Sequence, residues 1–121
     1  MNKILVVDDN MDILNVVSII LKSNGFEVNT ISNGNDALKQ TELFKPDLVL
    51  LDVYLGGMDG RDICKSLKAM DDTKHIPIIM FSAHSNQKDV NDACDAQDFI
   101  GKPFEIKELV GKIKYQLAHA C

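Results

Sequence analysis

Residues 47–52 read DLVLLD, an unbroken apolar run that ends in an acid. A strand without polar alternation is buried on both faces, as at the centre of a parallel sheet. Parallel neighbours need long connections, usually helical, so the flanking sequence should alternate helix and strand. On the amino-terminal side, Asn33-Gly34 opens a helical segment through Ala37, Leu38 and Thr41 to Phe44, and Pro46 disfavours its continuation. Before it, FEVNTI at 26–31 alternates like a strand near a sheet edge. Asn24-Gly25 is a suitable stop for a helix whose apolar positions are Ile13, Leu14, Val17, Ile20 and Leu21. The first strand, KILVVD at 3–8, again ends in acids.

On the carboxyl side, Gly56, Gly57 and Gly60 mark a flexible loop, and Ile63, Leu67 and Met70 a third helix. IPIIMFS at 76–82 is a fourth strand ending in a hydroxyl, and residues 86–93 are weakly helical. A short strand at 98–100 leads to Lys102-Pro103, and Ile106, Leu109, Val110, Ile113 and Leu117 give the clearest amphipathic helix. Five strands alternating with five helices predict a doubly wound α/β fold, with right-handed crossovers packing helices on both faces of a parallel sheet. With 121 residues and no visible linker, the chain reads as one domain over 1–121.

The net charge of −5 argues against direct nucleic-acid binding, which usually leaves a basic footprint. Cys64, Cys94 and Cys121 are odd in number and lack CxxC spacing, and MNKILVV is no signal peptide, so a reducing cytoplasm is expected. No apolar run approaches the ~20 residues of a membrane span. His75, His84 and His119 share no metal spacing and read as surface residues, and Cys64 reads as core packing.

In such a sheet, ligands bind outside the carboxyl ends of the strands. Asp8 and Asp9 stand there after the first strand, Asp52 after the third, Ser82 after the fourth and Lys102 after the fifth. Three carboxylates in one crevice repel each other and imply a cation. Hard oxygen ligands without His or Cys favour Mg²⁺ or Mn²⁺, and Mg²⁺ also bridges to phosphate oxygens. Lys102 and the Ser82 hydroxyl are donors suited to a phosphoryl group, and a carboxylate is a competent nucleophile for its transfer. On this ground alone each of the three acids is a candidate acceptor.

VVDD at 6–9, LLDVYLGGMDG at 50–60, FSA at 81–83 and FIGKPF at 99–104, in this order and spacing, resemble the receiver domain of two-component response regulators over essentially the whole chain. The resemblance implies a flavodoxin-like strand order of 2-1-3-4-5, for which a receiver is itself a stock example. It singles out Asp52 as phosphoacceptor, with Asp9 and Asp52 ligating Mg²⁺ directly, Asp8 acting largely through water and the Tyr54 main-chain carbonyl completing the set. It implies a phosphohistidine donor on a histidine kinase or phosphotransfer protein, an output protein or domain as reader, and self-catalysed phosphorylation and dephosphorylation rather than conventional enzyme turnover. Ser82 and the aromatic Phe99 would switch the face made by the fourth helix, fifth strand and fifth helix.

Three departures stand out. Gly56 replaces the family's usual proline, which suggests a more mobile loop beside Asp52. Asp95 replaces a small residue near the fifth strand. Tyr54 and His84 are bulky where they flank the path of an attacking water, which points to slow hydrolysis. Each residue also has a plainer reading: Asp9 as cap of the first helix, Lys102 as a solvated loop lysine, Ser82 as partner of a backbone amide, Phe99 as ordinary core, and Asp59 and Asp62 as charges at the start of the third helix. As to function, a stand-alone regulator competes with a module of a longer hybrid kinase or DNA-binding regulator, the former favoured if the chain ends after the fifth helix. An aspartyl phosphatase is disfavoured by the missing DxD on the first strand.

Overall fold

The computed structural model describes residues 2–82 and 94–119, with Ser82 described by its backbone. The predicted helix at 86–93 and His84 lie outside the described residues. The elements are β1 (Lys3–Val7), α1 (Met11–Ser23), β2 (Glu27–Ile31), α2 (Ala37–Phe44), β3 (Leu48–Asp52), β4 (Tyr54–Leu55), β5 (Met58–Asp59), α3 (Gly60–Ala69), β6 (Ile78–Ser82), β7 (Asp98–Gly101) and α4 (Ile106–His119). Five of the strands form one parallel sheet in the order β2-β1-β3-β6-β7, which is the expected 2-1-3-4-5 once the two short strands are set aside.

DLVLLD behaves as its composition requires. β3 is buried along its whole length and pairs with β1 on one side (Leu50 against Val6) and β6 on the other (Asp52 against Phe81). The period of two sends alternate residues to opposite faces. Leu5, Val7, Val49, Leu51, Ile78 and Met80 join one core with Ile63, Cys64 and Leu67 of α3. Ile4, Val6, Leu48, Leu50, Ile79 and Phe81 join the other with Leu14, Val17 and Leu21 of α1 and Leu109 and Ile113 of α4. β2 is an edge strand, as its polar alternation suggests.

The helix ends have local causes. Asn10 caps α1, its side chain accepting from the Asp12 and Ile13 amides, so the plain reading of Asp9 as the cap is wrong by one residue. Lys45 closes α2 in the left-handed region, at φ 52°, just before Pro46. Asp59 caps α3 through the Arg61 amide and also pairs with the Arg61 guanidinium at 2.7 Å.

One feature was not legible in the glycines. The segment expected to be a flexible loop is a tight antiparallel hairpin, with Leu55 opposite Met58 and Tyr54 opposite Asp59. Its two turn residues, Gly56 and Gly57, have φ 41° and 88°. Type I′ hairpin turns need positive φ at both central positions, and Gly-Gly supplies them without steric cost. Proline, fixed near φ −65°, cannot take the Gly56 conformation. Gly56→Pro is therefore expected to destabilise this chain by more than about 1 kcal/mol in a urea melt. An unchanged midpoint would show that the hairpin geometry is not what holds this segment.

Candidate functional site

The carboxyl ends of β1, β3 and β7 bring the predicted residues together. Asp8, at the end of β1, is fully buried, and Asp52, the last residue of β3, is 4 % exposed. Asp9 is exposed beside them. One carboxylate oxygen from each of the three lies within 4.8 Å of the others. Lys102, directly after β7, reaches across the sheet edge: its Nζ stands 2.8 Å from Asp8 Oδ2 and 3.3 Å from Asp52 Oδ2. That makes Lys102 no solvated loop residue. Its side chain is 16 % exposed and its ammonium sits 4.7 Å above the centre of the Phe81 ring. The Lys102-Pro103 peptide bond is cis.

Backbone amides complete the acids' environment. The Asn10 amide donates to Asp8 Oδ1 at 2.9 Å, and the Tyr54 amide to Asp52 Oδ1 at 3.3 Å. Asp8 therefore spends one oxygen on the chain that starts α1 and the other on Lys102. Asp52 is pushed up to about 6, first by burial and then by the neighbouring Asp8 charge, against the opposing pull of Lys102 and the Tyr54 amide. One ammonium does not balance the buried negative charge. The site has an appetite for further positive charge at neutral pH.

Gly60 packs directly against the end of β3. Its amide donates to the Val53 carbonyl at 2.6 Å, and a Cβ there would overlap the carbonyl oxygen of Asp52. α3 can begin this close to β3 only because the residue has no side chain. The Cβ position at Gly56 lies 3.4 Å from Asp9 Oδ2, so the turn also abuts the acids.

Among the other predicted residues, the Ser82 backbone pairs with Gly101 at the sheet edge, which places it beside Lys102 in sequence register. Phe99 is half-buried against the core that includes α3. Its amide donates to Asp98 Oδ1 at 2.8 Å and its carbonyl accepts from Lys112 Nζ at 2.7 Å, tying β7 to α4. Tyr54 is half exposed and His75 and His119 are at the surface. Asn10, Gly60, Phe81 and Lys112 carried no signal strong enough to find from sequence: each acts through a backbone contact or a ring whose partner is distant in the chain.

Residues 4–114 match the family model of the response regulator receiver domain. The DNA-binding response regulator MtrA of Mycolicibacterium paratuberculosis is 39% identical over 117 residues, which cover 95% of this chain and 51% of that protein. The chain thus spans about half the length of the curated relatives it matches. Among solved structures, the signal receiver domain of a signal transduction histidine kinase from Syntrophus aciditrophicus superposes with a TM-score of 0.89 at 32% identity, covering 98% of this chain and 91% of that one. The receiver domain of a sensor histidine kinase from Pseudomonas aeruginosa, solved with a magnesium ion coordinated in its active site cleft, gives 0.88 at 27% identity, covering 97% and 98%. Match, fold and sheet-edge geometry agree: this chain belongs to the response regulator receiver domain family of two-component systems.

Proposed function

We propose that residues 1–121 form one receiver domain in which Asp52 is the phosphoacceptor. The observation that carries this is the placement of Lys102 Nζ between two buried carboxylates, 2.8 Å from Asp8 and 3.3 Å from Asp52, with Asp9 alongside. Of the three acids, Asp8 has both oxygens engaged and Asp9 is out in solvent. Asp52 combines burial at the strand end with only long contacts, 3.3 Å from the Tyr54 amide to Oδ1 and 3.3 Å from Lys102 Nζ to Oδ2, against 2.9 and 2.8 Å at Asp8. At pH 7 a carboxyl titrating near 6 is mostly ionised and so nucleophilic.

The donor set fits a hard divalent cation: all oxygens, no His or Cys, and an excess of buried negative charge. Asp9, Asp52 and the Tyr54 carbonyl would hold Mg²⁺, with Asp8 acting largely through water. When bound, the ion supplies charge neutralisation for the oxygens of an incoming phosphoryl group. The chain's own part is to aim Asp52 and to hold compensating charge near it. An Asp52 oxygen forms the new O–P bond as the P–N bond of a phosphohistidine breaks, its electron pair leaving with the imidazole. Lys102 then faces phosphoryl oxygens instead of the bare carboxylate, and the Ser82 hydroxyl donates to another. Loss of the Lys102–Asp52 contact at the base of β7 would reach Phe99 and its Lys112 tie to α4. Ser82 and Phe99 are the switch residues in this reading.

The donor partner is a histidine kinase or phosphotransfer protein and the reader an output protein or domain, in the cytoplasm. The net charge of −5 argues against these 121 residues binding nucleic acid directly. Among the described residues no helix is long and apolar enough to cross a membrane. A second reading, a module of a longer DNA-binding regulator or hybrid kinase, is favoured by the half-length match to MtrA and by the kinase receivers among the structural neighbours.

The reading is tested by incubating the chain with a small phosphodonor and following intact mass. Addition of one phosphoryl group is expected with Mg²⁺ and its loss with chelator. Equal incorporation without divalent cation would defeat the metal assignment. Tyr54 and His84 are further expected to slow hydrolysis by screening the attacking water, so the pair Tyr54→Gly and His84→Gly should shorten the phosphorylated lifetime several-fold. An unchanged decay rate would remove them from that role.

A further inference from the structure

We propose that Phe81 is a positioning residue for phosphoryl uptake: the face of its ring is the seat that holds the Lys102 ammonium beside Asp8 and Asp52. The proposal rests on the reading of Asp52 as acceptor. The ammonium stands over the ring at 4.7 Å from its centroid, within the range at which a cation is drawn to the negative face of an aromatic ring. The Lys102 side chain is 16 % exposed and Phe81 only 1 %, so little water screens the attraction. Lysine carries a compact charge on a flexible four-carbon stem, and such a charge has to be held if it is to stay in place.

The sheet fixes the ring independently of the lysine. Phe81 lies on β6, in direct register with Asp52 of β3 on one side and Ile100 of β7 on the other. Side chains alternate between the faces of a sheet, so Phe81 and Asp52 rise side by side on the face of Leu48, Leu50 and Ile79. The ring also meets Phe104, with centroids 5.2 Å apart and planes tilted by 53°, a favourable aromatic pairing. Residues 102 and 104 therefore both close on Phe81, one with its ammonium and the other with its ring. The loop after β7 is anchored on a strand residue that neighbours the acceptor.

An aromatic seat does what a third carboxylate could not. The ammonium has three N–H donors, and Asp8 and Asp52 engage it at 2.8 and 3.3 Å. Another acid would add to the buried negative charge and claim a donor of its own. The ring attracts the charge while adding no formal charge and taking no lone-pair hydrogen bond. The donor that faces Asp52 stays free to turn to a phosphoryl oxygen once the carboxylate oxygen is bonded to phosphorus. With the ring's negative face removed, the ammonium is held chiefly by Asp8, the shorter of its two contacts, and its alignment on Asp52 loosens.

The test keeps the shape of the ring and changes its charge distribution. Phenylalanines bearing one, two and three ring fluorines are placed at position 81, and phosphoryl uptake from a small phosphodonor is timed at saturating Mg²⁺. Fluorine drains the negative face at little cost in volume, so the rate should fall stepwise, by roughly tenfold with three, the order set by a desolvated cation–aromatic contact. The same series at Phe26, buried in the same core at the far end of the sheet, should leave the rate unchanged. A second measurement needs no phosphoryl group: in the proton NMR spectrum the Lys102 ε-methylene, held over the ring, should lie upfield of the other lysines, and Phe81→Leu should return it to the common position. Equal rates across the series at position 81, equal slopes at positions 81 and 26, or a Lys102 ε-methylene at the common position would overturn the proposal. Failure of the unaltered chain to take up phosphate, with the upfield shift in place, would defeat the reading of Asp52 and this proposal with it. A flat series in a chain that does take up phosphate defeats the role of Phe81 alone.

Discussion

Asp52→Asn is expected to make the metal-free chain more stable at pH 7, not less. Most buried-site substitutions destabilise, so the sign is diagnostic. Asp52 is 4 % exposed, and its carboxyl is raised from 3.8 to about 6 by burial and by Asp8. A group whose folded value exceeds its unfolded one binds more protons when folded, and stability then falls as pH rises between the two values. Here that window runs from near 4 to near 6, and above it the full cost of the charge is present. At about 1.4 kcal/mol per tenfold change in the proton equilibrium, the cost comes to ~3 kcal/mol at most.

Asparagine removes the charge, keeps the shape and leaves the Lys102–Asp8 pair at 2.8 Å intact. A gain of about 1–3 kcal/mol in chemical denaturation is expected at pH 7, shrinking towards zero by pH 4. The difference between the two proteins isolates Asp52 from groups of opposite sign. One such group is Asp59, whose carboxyl is held low chiefly by its bonds to Arg61 and so contributes stability that is lost as pH falls. A loss of stability on Asp52→Asn at pH 7 would mean that Lys102 fully compensates the charge and that the site has no need of a cation.

Gly60→Ala should have the largest destabilising effect of any single methyl group added to this fold. The new Cβ would overlap the Asp52 carbonyl oxygen and come within 2.9 Å of its carbonyl carbon and 3.1 Å of Val53 Cα. All three are backbone atoms, so no side chain can swing aside, and the Gly60–Val53 hydrogen bond fixes the approach. Either the start of α3 or the end of β3 must move. A cost of about 3 kcal/mol, the upper range for overpacking, is expected, with Tm lower by roughly 10 °C. Gly111→Ala is the matched control. Mid-helix in α4 with nothing within 4 Å of the Cβ position, it should stabilise by about 0.5–1 kcal/mol. Equal melting behaviour of the two variants would contradict the close approach at Gly60. Because the shift moves Asp52 itself, phosphoryl uptake by Gly60→Ala should fall along with stability.

These residues also show what a sequence does and does not carry. DLVLLD, KILVVD and the amphipathic helix ending at Leu117 follow from periodicity, because burial on one or two faces writes itself directly into residue type. The strand-end acids and Lys102 were legible for a related reason: a parallel sheet places all its carboxyl ends on one edge, so position in the strand predicts position in space. The Gly56-Gly57 hairpin was not, since glycine permits a sharp turn and a mobile loop alike, and only φ separates them. Nor was the N-cap: Asp9 and Asn10 are both good caps, and residue type alone does not say which of them aims its side chain at the first amides of the helix.

The central claim, that Asp52 is the atom-level acceptor, is tested most directly by trapping the phosphorylated chain with borohydride. Reduction converts an aspartyl phosphate to homoserine and leaves free carboxylates untouched. After incubation with a small phosphodonor and Mg²⁺, homoserine at position 52 is expected, and none in Asp52→Asn. Homoserine at Asp8 or Asp9, or undiminished phosphoryl incorporation in Asp52→Asn, would contradict it.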